Sequence, residues 1–401
     1  VSEGNLIGPG HSADALAGSR EIVTLGVRRA GGARLLLVDP SADYRDVYYR
    51  RDFSGLELGS GRGQMLDELA CLAPTLTDIA ILCQSNWSYR LRLPSGVLLI
   101  GEPRGNWHGH MAEQVIAQFL PTHMVLQGEF TQMLAAGARH GLAVACVLDE
   151  WPQHYHRLGR RLEHRLSEDH VSLVANSTAA GVALLEAQGV PAHKLVTWTY
   201  RHAAPRQVCP RKAAPAGVEA RLLFVGDISF ETGVADLIRA MWLLEGRLTC
   251  RLDVVGTGQV AQMKQFATRL GLLRHVRFKG AVANGEIAAM MRGADAIVLP
   301  HRSVLRQSCV LTLREAFLSR TPILASDHPL LACQLVNGET GLLFQAGRPG
   351  ALSEAIGRLF SDQLLYARLS RNAMDGLSCH DRSVAWGDML GAWIQRDWPS
   401  C

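Results

Sequence analysis

Two stretches in the second half of this chain carry residue types and spacings that could do chemistry. One runs Val225-Gly226-Asp227-Ile228-Ser229-Phe230-Glu231-Thr232-Gly233 into the apolar stretch VADLIRAMWLL. A strand that ends in a glycine turn at the start of a helix presents backbone N–H groups to an anion, and the helix dipole favours negative charge there. The same glycines can equally serve backbone geometry alone, since Gly reaches conformations closed to other residues. Gly256-Thr257-Gly258, after RLDVV, is a lone G-x-G open to the same two readings.

The other stretch begins at Pro300, with a basic loop holding Arg302 and Arg306. Gln307 and Ser308 come next, and then the run VLTLREAF, an apolar helix with Glu315 inside it beside Ala316 and Phe317. A carboxylate near the buried side of a helix needs donors, and ribose hydroxyls would serve. So would the guanidinium of Arg314 or Arg320 on a solvated face. Arg302 and Arg306 are suited to phosphate oxygens, which a guanidinium binds with two parallel N–H groups.

The first half offers less. Glu102, Arg104, His108 and His110 follow the strand-like VLLI and form either a binding group or a plain polar loop. Asp149 lies in LDEWP. His154 and His156, in QHYHRLGRR, read best as a solvated helix start.

These residues need elements to hold them. Strand-length apolar runs recur at Leu35–Val38, near Ile79, Val97, Met124, Val144 and Val171, with helix-like stretches between most of them and one, from about Ala13 to Arg29, ahead of the first. Alternation of strands and helices implies a parallel sheet covered on both faces. The segment 203–217 carries Pro205, Pro210 and Pro215 among basic and small residues, as linkers do. A second series follows: RLLFVG, RLDVVGTG, a helix from about Gln259 to Leu270, VRFKG, AIVLP, PILAS and GLLF. The expectation is two Rossmann-like α/β domains facing across a cleft, with ligands beyond the carboxyl ends of the strands. The chain starts at Val1, and VSEGNLIGPG reads as the end of a strand entering a Gly loop, so the first strand is expected to be cut short.

Composition excludes several classes. The 401 residues are 48% hydrophobic and 19% charged, as in globular proteins rather than disordered ones. A net charge of +4 lacks the clustered excess that nucleic-acid binding needs. No apolar run approaches the roughly 18 residues of a membrane span, and no signal peptide is evident. Nine cysteines without a C-x-x-C pair argue against a disulfide framework or zinc site and favour a reducing compartment.

Together, LFVGDISFETGVADLIRAM, LDVVGTG, HVRFKGAV, ADAIVLPHR, LTLREAF, TPILASDHP and NGETGLLF resemble, in order and spacing, the C-terminal domain of glycosyltransferase family 4, the retaining glycosyl transferases of group 1. That resemblance implies a GT-B fold with an N-terminal acceptor-side domain over 1–205, a nucleotide-sugar domain over 218–375, and a terminal helix in 376–401 returning to the first. ANSTAAGVALLEAQGVPAHKLV resembles the last strand and helix before the hinge, and Gly8-Pro9-Gly10 the acceptor-side loop. The implied donor residues are Gly226, Asp227, Thr232, Gly256, Gly280, Arg302, Arg306, Ser308 and Glu315, with Gln307 and Asp149 at catalytic positions. Gly8, Gly10, Glu102 and Arg104 fall on the acceptor side.

Several of these positions depart from the family's pattern. Asp227 and Thr232 stand where the family has the Arg and Lys that clamp the donor diphosphate, and an Asp repels phosphate. Of the paired glutamates, the first is Gln307 and only Glu315 is kept. Leu148 falls where a His is common. By resemblance, Glu315 would hold the ribose, Gln307 and nearby N–H groups the sugar, and Arg302 or Arg306 the diphosphate. No metal or other cofactor is expected beyond the nucleotide-sugar. The implied activity is hexosyl transfer with retention to a sugar, glycan or lipid-linked acceptor in cell-surface polysaccharide or glycoconjugate synthesis. It would take place in the cytoplasm or at the inner face of a membrane, with no nucleic-acid partner. The rival expectation is a non-catalytic relative that binds a nucleotide, a sugar or a partner enzyme. A small-molecule epimerase would need carboxylates and histidines gathered at the cleft, and no such set assembles.

Overall fold

A computed structural model describes residues 32–54, 61–104, 107, 109–128, 131–148, 160–200, 209–215, 219–305, 310–378 and 383–395. In the first unit, strand β1 (Arg34–Asp39) leads to helices α1 (Tyr44–Ser54) and α2 (Arg62–Leu72). Strands β2 (Asp78–Ser85), β3 (Tyr89–Arg92) and β4 (Leu98–Pro103) follow, and then α3 (Gly109–Phe119), β5 (His123–Gln127), α4 (Thr131–Arg139) and β6 (Ala143–Leu148). The unit continues through α5 (Arg160–Ser167), β7 (Val171–Asn176), α6 (Ala179–Ala187) and β8 (Leu195–Thr199).

The second unit repeats the alternation. It runs β9 (Glu219–Val225), α7 (Val234–Leu243), β10 (Thr249–Val255), α8 (Val260–Arg269), β11 (Val276–Gly280), α9 (Asn284–Gly293) and β12 (Ala296–Leu299). After these come α10 (Val310–Ser319), β13 (Ile323–Ser326), α11 (Pro329–Ala332), β14 (Leu342–Phe344), α12 (Pro349–Ser361) and α13 (Gln363–Ser378). The described chain closes with β15 (Val384–Ala385) and α14 (Trp386–Ile394).

Within the described residues these strands form two sheets, ordered β15-β8-β7-β6-β5-β1-β2-β4-β3 and β11-β10-β9-β12-β13-β14. All pairings are parallel except the antiparallel edge strand β3 against β4. The apolar runs are continuous because both faces are covered. Leu36 and Val38 point into one core with Leu82 and Leu126, and Leu35 and Leu37 into the opposite one with Met65 and Trp386. The second sheet divides in the same way, with Leu222 and Phe224 on one face and Leu223 and Val225 on the other. Two doubly covered parallel sheets make two Rossmann-like α/β units, as the expected fold requires.

β1 lies inside the first sheet, between β2 and β5. The turn that follows it is Pro40–Asp43. Gly8 and Gly10, with the helix expected between Ala13 and Arg29, lie outside the described residues.

Helix α6 packs between the units, while the linker and the chain end are each fastened to one of them. From Cys209 the linker is fastened to the second unit, where the Cys209 N–H donates to the Leu318 carbonyl at 3.1 Å and the Lys212 N–H to Ser370 Oγ at 2.7 Å. Ala180 and Leu184 of α6 pack against the second unit's core around Phe317. At the end of the chain, α14 joins the core of the first unit, burying Trp386, Met389 and Leu390 completely. Trp393 Nε1 donates to Ser172 Oγ at 2.8 Å, and the Gly387 N–H to the buried carboxylate of Glu68. Among the described residues no helix is long and apolar enough to cross a membrane.

Candidate functional site

Because β9 to β13 run parallel, their carboxyl ends share one edge, and the sequence-predicted residues of the second unit gather there. The turns after β9, β10 and β11 are knitted to one another. The Gly226 N–H donates to the Val255 carbonyl at 3.0 Å, and the Gly256 N–H to the Gly280 carbonyl at 2.8 Å. The Ile228 N–H donates to the Thr257 carbonyl and the Gln259 N–H to the Ile228 carbonyl, both at 2.7 Å. A Cβ on Gly256 would lie 1.8 Å from the Gly226 carbonyl oxygen, so this glycine is required by turn packed on turn. The N–H groups of Gly226 and Gly256 are thereby used within the protein, and backbone geometry accounts for both glycines.

Thr232, where the resembling family has a phosphate-binding Lys, is 5% exposed and closes the loop on itself. Its Oγ1 accepts from the Ser229 N–H at 3.1 Å, and the Thr232 N–H donates to Ser229 Oγ at 3.3 Å. Asp227 is exposed at the head of this loop. Partial desolvation raises its carboxyl above the usual range, and the charge of Glu231 adds to the shift.

The loop after β12 is pinned from several sides. The Arg302 N–H donates to the Glu231 carbonyl at 2.8 Å. Nε and Nη2 of Arg302 donate to Oδ2 and Oδ1 of Asp236 on α7, at 2.7 and 2.6 Å, and the guanidinium lies 3.8 Å from the Phe230 ring centroid. His328 holds the far end. Its Nδ1 accepts from the Leu330 N–H at 3.2 Å, which leaves the proton on Nε2 to bond the Leu305 carbonyl at 3.0 Å. His301 is buried with Nδ1 unpartnered, and burial, helped by His328, pulls its pKa down to about 3. It is therefore neutral at ordinary pH.

Glu315 sits half-buried on α10 beside the fully buried Ala316 and Phe317. The structure thus brings Gly226, Asp227, Thr232, Gly256, Gly280, Arg302 and Glu315 to the ends of β9, β10, β11 and β12 and to helix α10, at one sheet edge. Arg306, Gln307 and Ser308 lie outside the described residues. Asp149 does as well, although Leu148 before it is the buried last residue of β6.

On the first sheet, Glu102 lies near the carboxyl end of β4 but is engaged by the edge hairpin. It accepts from Ser88 Oγ at 2.7 Å and Arg90 Nη1 at 3.0 Å. Arg104 is exposed just beyond. Sequence reasoning missed the group at the end of β1. There the buried carboxylate of Asp39 accepts from Tyr44 Oη at 2.6 Å and faces Arg62 at 3.6 Å. Asp43 accepts from Tyr89 Oη at 2.5 Å, and Arg45 lies 4.4 Å from the ring centroid of the half-exposed Trp87. An acid directly after LLLV was the available signal.

Residues 209–375 match the family described as Glycosyl transferases group 1. The second unit is thus similar to group 1 glycosyltransferase domains. Phosphatidyl-myo-inositol mannosyltransferase of Mycobacterium leprae is 33% identical over 151 residues, 37% of this chain and 39% of that one. Glycogen synthase of Mycobacterium tuberculosis is 30% identical over 161 residues, 40% of this chain and 38% of that one. The chain thus matches about two fifths of the length of these relatives. Similarity of the whole fold extends further. HepE of Anabaena, solved with UDP and glucose, superimposes with a TM-score of 0.62 at 16% identity, covering 91% of this chain and 99% of that one. Sucrose-phosphate synthase of Thermosynechococcus elongatus gives 0.64 at 15% identity over 91% and 98%. At such identities the likeness is one of fold: both units of this chain are arranged as in GT-B glycosyltransferases.

Proposed function

We propose that this chain is a glycosyltransferase of the family 4 kind that moves a hexosyl group from a nucleoside-diphosphate sugar to an acceptor with retention. The observation that carries the reading is the group 1 match over 209–375 in a chain whose whole fold follows HepE, for which structures hold UDP, glucose and UDP-glucose. The donor lies along the carboxyl edge of the second sheet, with Glu315 on the ribose and Gln307 and Ser308 at the sugar. Arg302, with Arg306, receives the diphosphate. Once Asp236 has taken Nε and Nη2, Arg302 still offers its Nη1, which has no hydrogen-bond partner among the described residues. The acceptor, a sugar, glycan or lipid-linked sugar, is held by the first unit on the same side as Glu102 and Arg104, with Asp149 at the reacting centre. Helix N-termini and guanidinium donors stabilise the leaving diphosphate without a metal. The setting is cell-surface polysaccharide or glycoconjugate synthesis at the cytoplasmic face of a membrane.

One observation favours a second reading. Asp227 is an exposed carboxylate and Thr232 is consumed within its own loop, so neither supplies the positive charge that departure of a diphosphate needs. A non-catalytic chain that binds the nucleotide, the sugar or a partner enzyme would tolerate both.

Nucleotide binding is tested by thermal unfolding with UDP or GDP. Saturation at a hundred times Kd stabilises a binder by about 2.7 kcal/mol, a shift of several degrees. Glu315→Ala should remove most of the shift. No shift with either nucleotide would sink the donor reading. Binding without sugar transfer to any glycan acceptor would favour the non-catalytic one.

A further inference from the structure

Arg302 has one edge of its guanidinium committed and the other open. Asp236 takes Nε and Nη2 in a two-pronged pair at 2.7 and 2.6 Å. Phe230 covers one face of the guanidinium at 3.8 Å, although the ring itself is 55% exposed. The backbone of Arg302 is tied to Glu231, and Pro300 is pressed against Gly233. A guanidinium has five N–H groups in a rigid fork, so a partner on the Nε edge leaves the Nη1–Nη2 edge able to take a second oxyanion. Nη1 has no hydrogen-bond partner among the described residues, and the side chain keeps 24% of its surface exposed.

Resting on the donor reading above, we infer that Asp236 and Phe230 are positioning residues. They fix Arg302 in advance, so that its Nη1–Nη2 edge meets the donor diphosphate.

The electrostatics favour positioning over competition. Asp236 lies in the first turn of α7, whose unpaired N–H groups and dipole stabilise a carboxylate. Its charge is therefore partly answered by the helix, and it does not cancel the whole of the Arg302 charge. Its side chain is 8% exposed, and its two oxygens face the Nε edge, away from the open one. A long side chain held in one rotamer by a carboxylate and a ring has little freedom left to lose when a phosphate arrives. This is the role that a Lys at position 232 would have filled by charge alone. Here the loop carries Thr232, and orientation replaces the second cation.

The pair could instead only fasten the β12 loop to α7, and the test separates the two roles. Calorimetric titration compares the nucleoside diphosphate that binds the unaltered chain, UDP or GDP, with its nucleoside, which reads the base and ribose contacts alone. Asp236→Asn and Arg302→Lys should each weaken diphosphate binding about tenfold, the loss of one charge-assisted contact. Neither should change nucleoside binding. The double variant should bind no more weakly than Arg302→Lys alone, since both act through one contact. Phe230→Leu, which keeps an apolar cover, should lie between.

Diphosphate binding unchanged or tightened in Asp236→Asn overturns the inference, because Asp236 would then be a bystander or a competitor. Equal losses for nucleoside and diphosphate also overturn it, because the pair would then be only structural. If Asp236→Asn fails to fold, Arg302→Lys and Phe230→Leu still decide, and full binding in both rejects the idea. Failure of the unaltered chain to bind UDP or GDP removes the donor reading itself, an outcome distinct from binding that ignores these substitutions.

Discussion

Gly233 stands directly against Pro300: a Cβ on the glycine would lie 1.8 Å from the proline's carbonyl oxygen. Gly233 is the N-cap of α7, with φ of 76°, and Pro300 follows the last residue of β12. This contact brings the start of α7 to the end of β12, and it sets the distance across which Arg302 reaches Asp236.

Gly233→Ala should therefore cost more than its backbone strain. A left-handed non-glycine residue costs about 1–2 kcal/mol, and here a collision with backbone is added. Gly246 has the same φ of 76° but nothing within 4 Å of its Cβ position, so Gly246→Ala should cost the strain alone. Urea unfolding of the two variants checks this, and equal losses would show that the close approach is not maintained in solution.

Acid stability should report His301. Its folded pKa is depressed from 6.5 to about 3 by burial and by the neighbouring His328. The unfolded chain takes up the proton first, so the stability contributed by neutral His301 is full above about pH 6.5 and drains away as pH falls towards 3. His301→Gln lacks that titration. Its stability should fall less steeply than the wild type's between pH 7 and 5, and parallel curves would contradict the assignment.

Glu102 is predicted to serve the edge hairpin. Glu102→Ala removes the acceptor of Ser88 and Arg90, and amide hydrogen exchange in β3 should quicken while the central strands keep their protection. Unchanged exchange at Tyr89–Arg92 would return Glu102 to the acceptor candidates.

Helix α14 is expected to be indispensable to the first unit. Trp386 is completely buried in the same core as Leu35 and Met65. Trp386→Ala should cost about 3–5 kcal/mol in denaturant unfolding, as large core truncations do. A loss under about 1 kcal/mol, typical of a surface change, would mean that the helix is not docked in solution.

The strands that were legible in the sequence are those buried on both faces. LLFV and LDVV read as strands because every position is apolar or nearly so, and the glycines after them mark the turns. β3 escaped notice because Tyr89-Arg90-Leu91-Arg92 alternates half-buried with exposed at a sheet edge, a pattern too short to stand out. The order of strands cannot be read locally at all. RLLLVDPS looks like a strand entering a turn, and only pairing to β2 and β5 places it inside the sheet.

The site was legible by type and not by contact. Glu315 and Arg302 stand out as candidates from their surroundings in sequence. The partner of Arg302 does not, because Asp236 lies 66 residues away and is brought near by the adjacency of β9 and β12. The knitting of the glycine turns was hidden for the same reason, since the bonds of Gly226 and Gly256 run between loops on different strands.

The most direct test of the central claim is calorimetric titration of UDP and of GDP into the intact chain. The donor reading predicts saturable one-to-one binding of at least one of them, weakened severely by Glu315→Ala. Absence of binding by both, in protein that unfolds cooperatively, would contradict it.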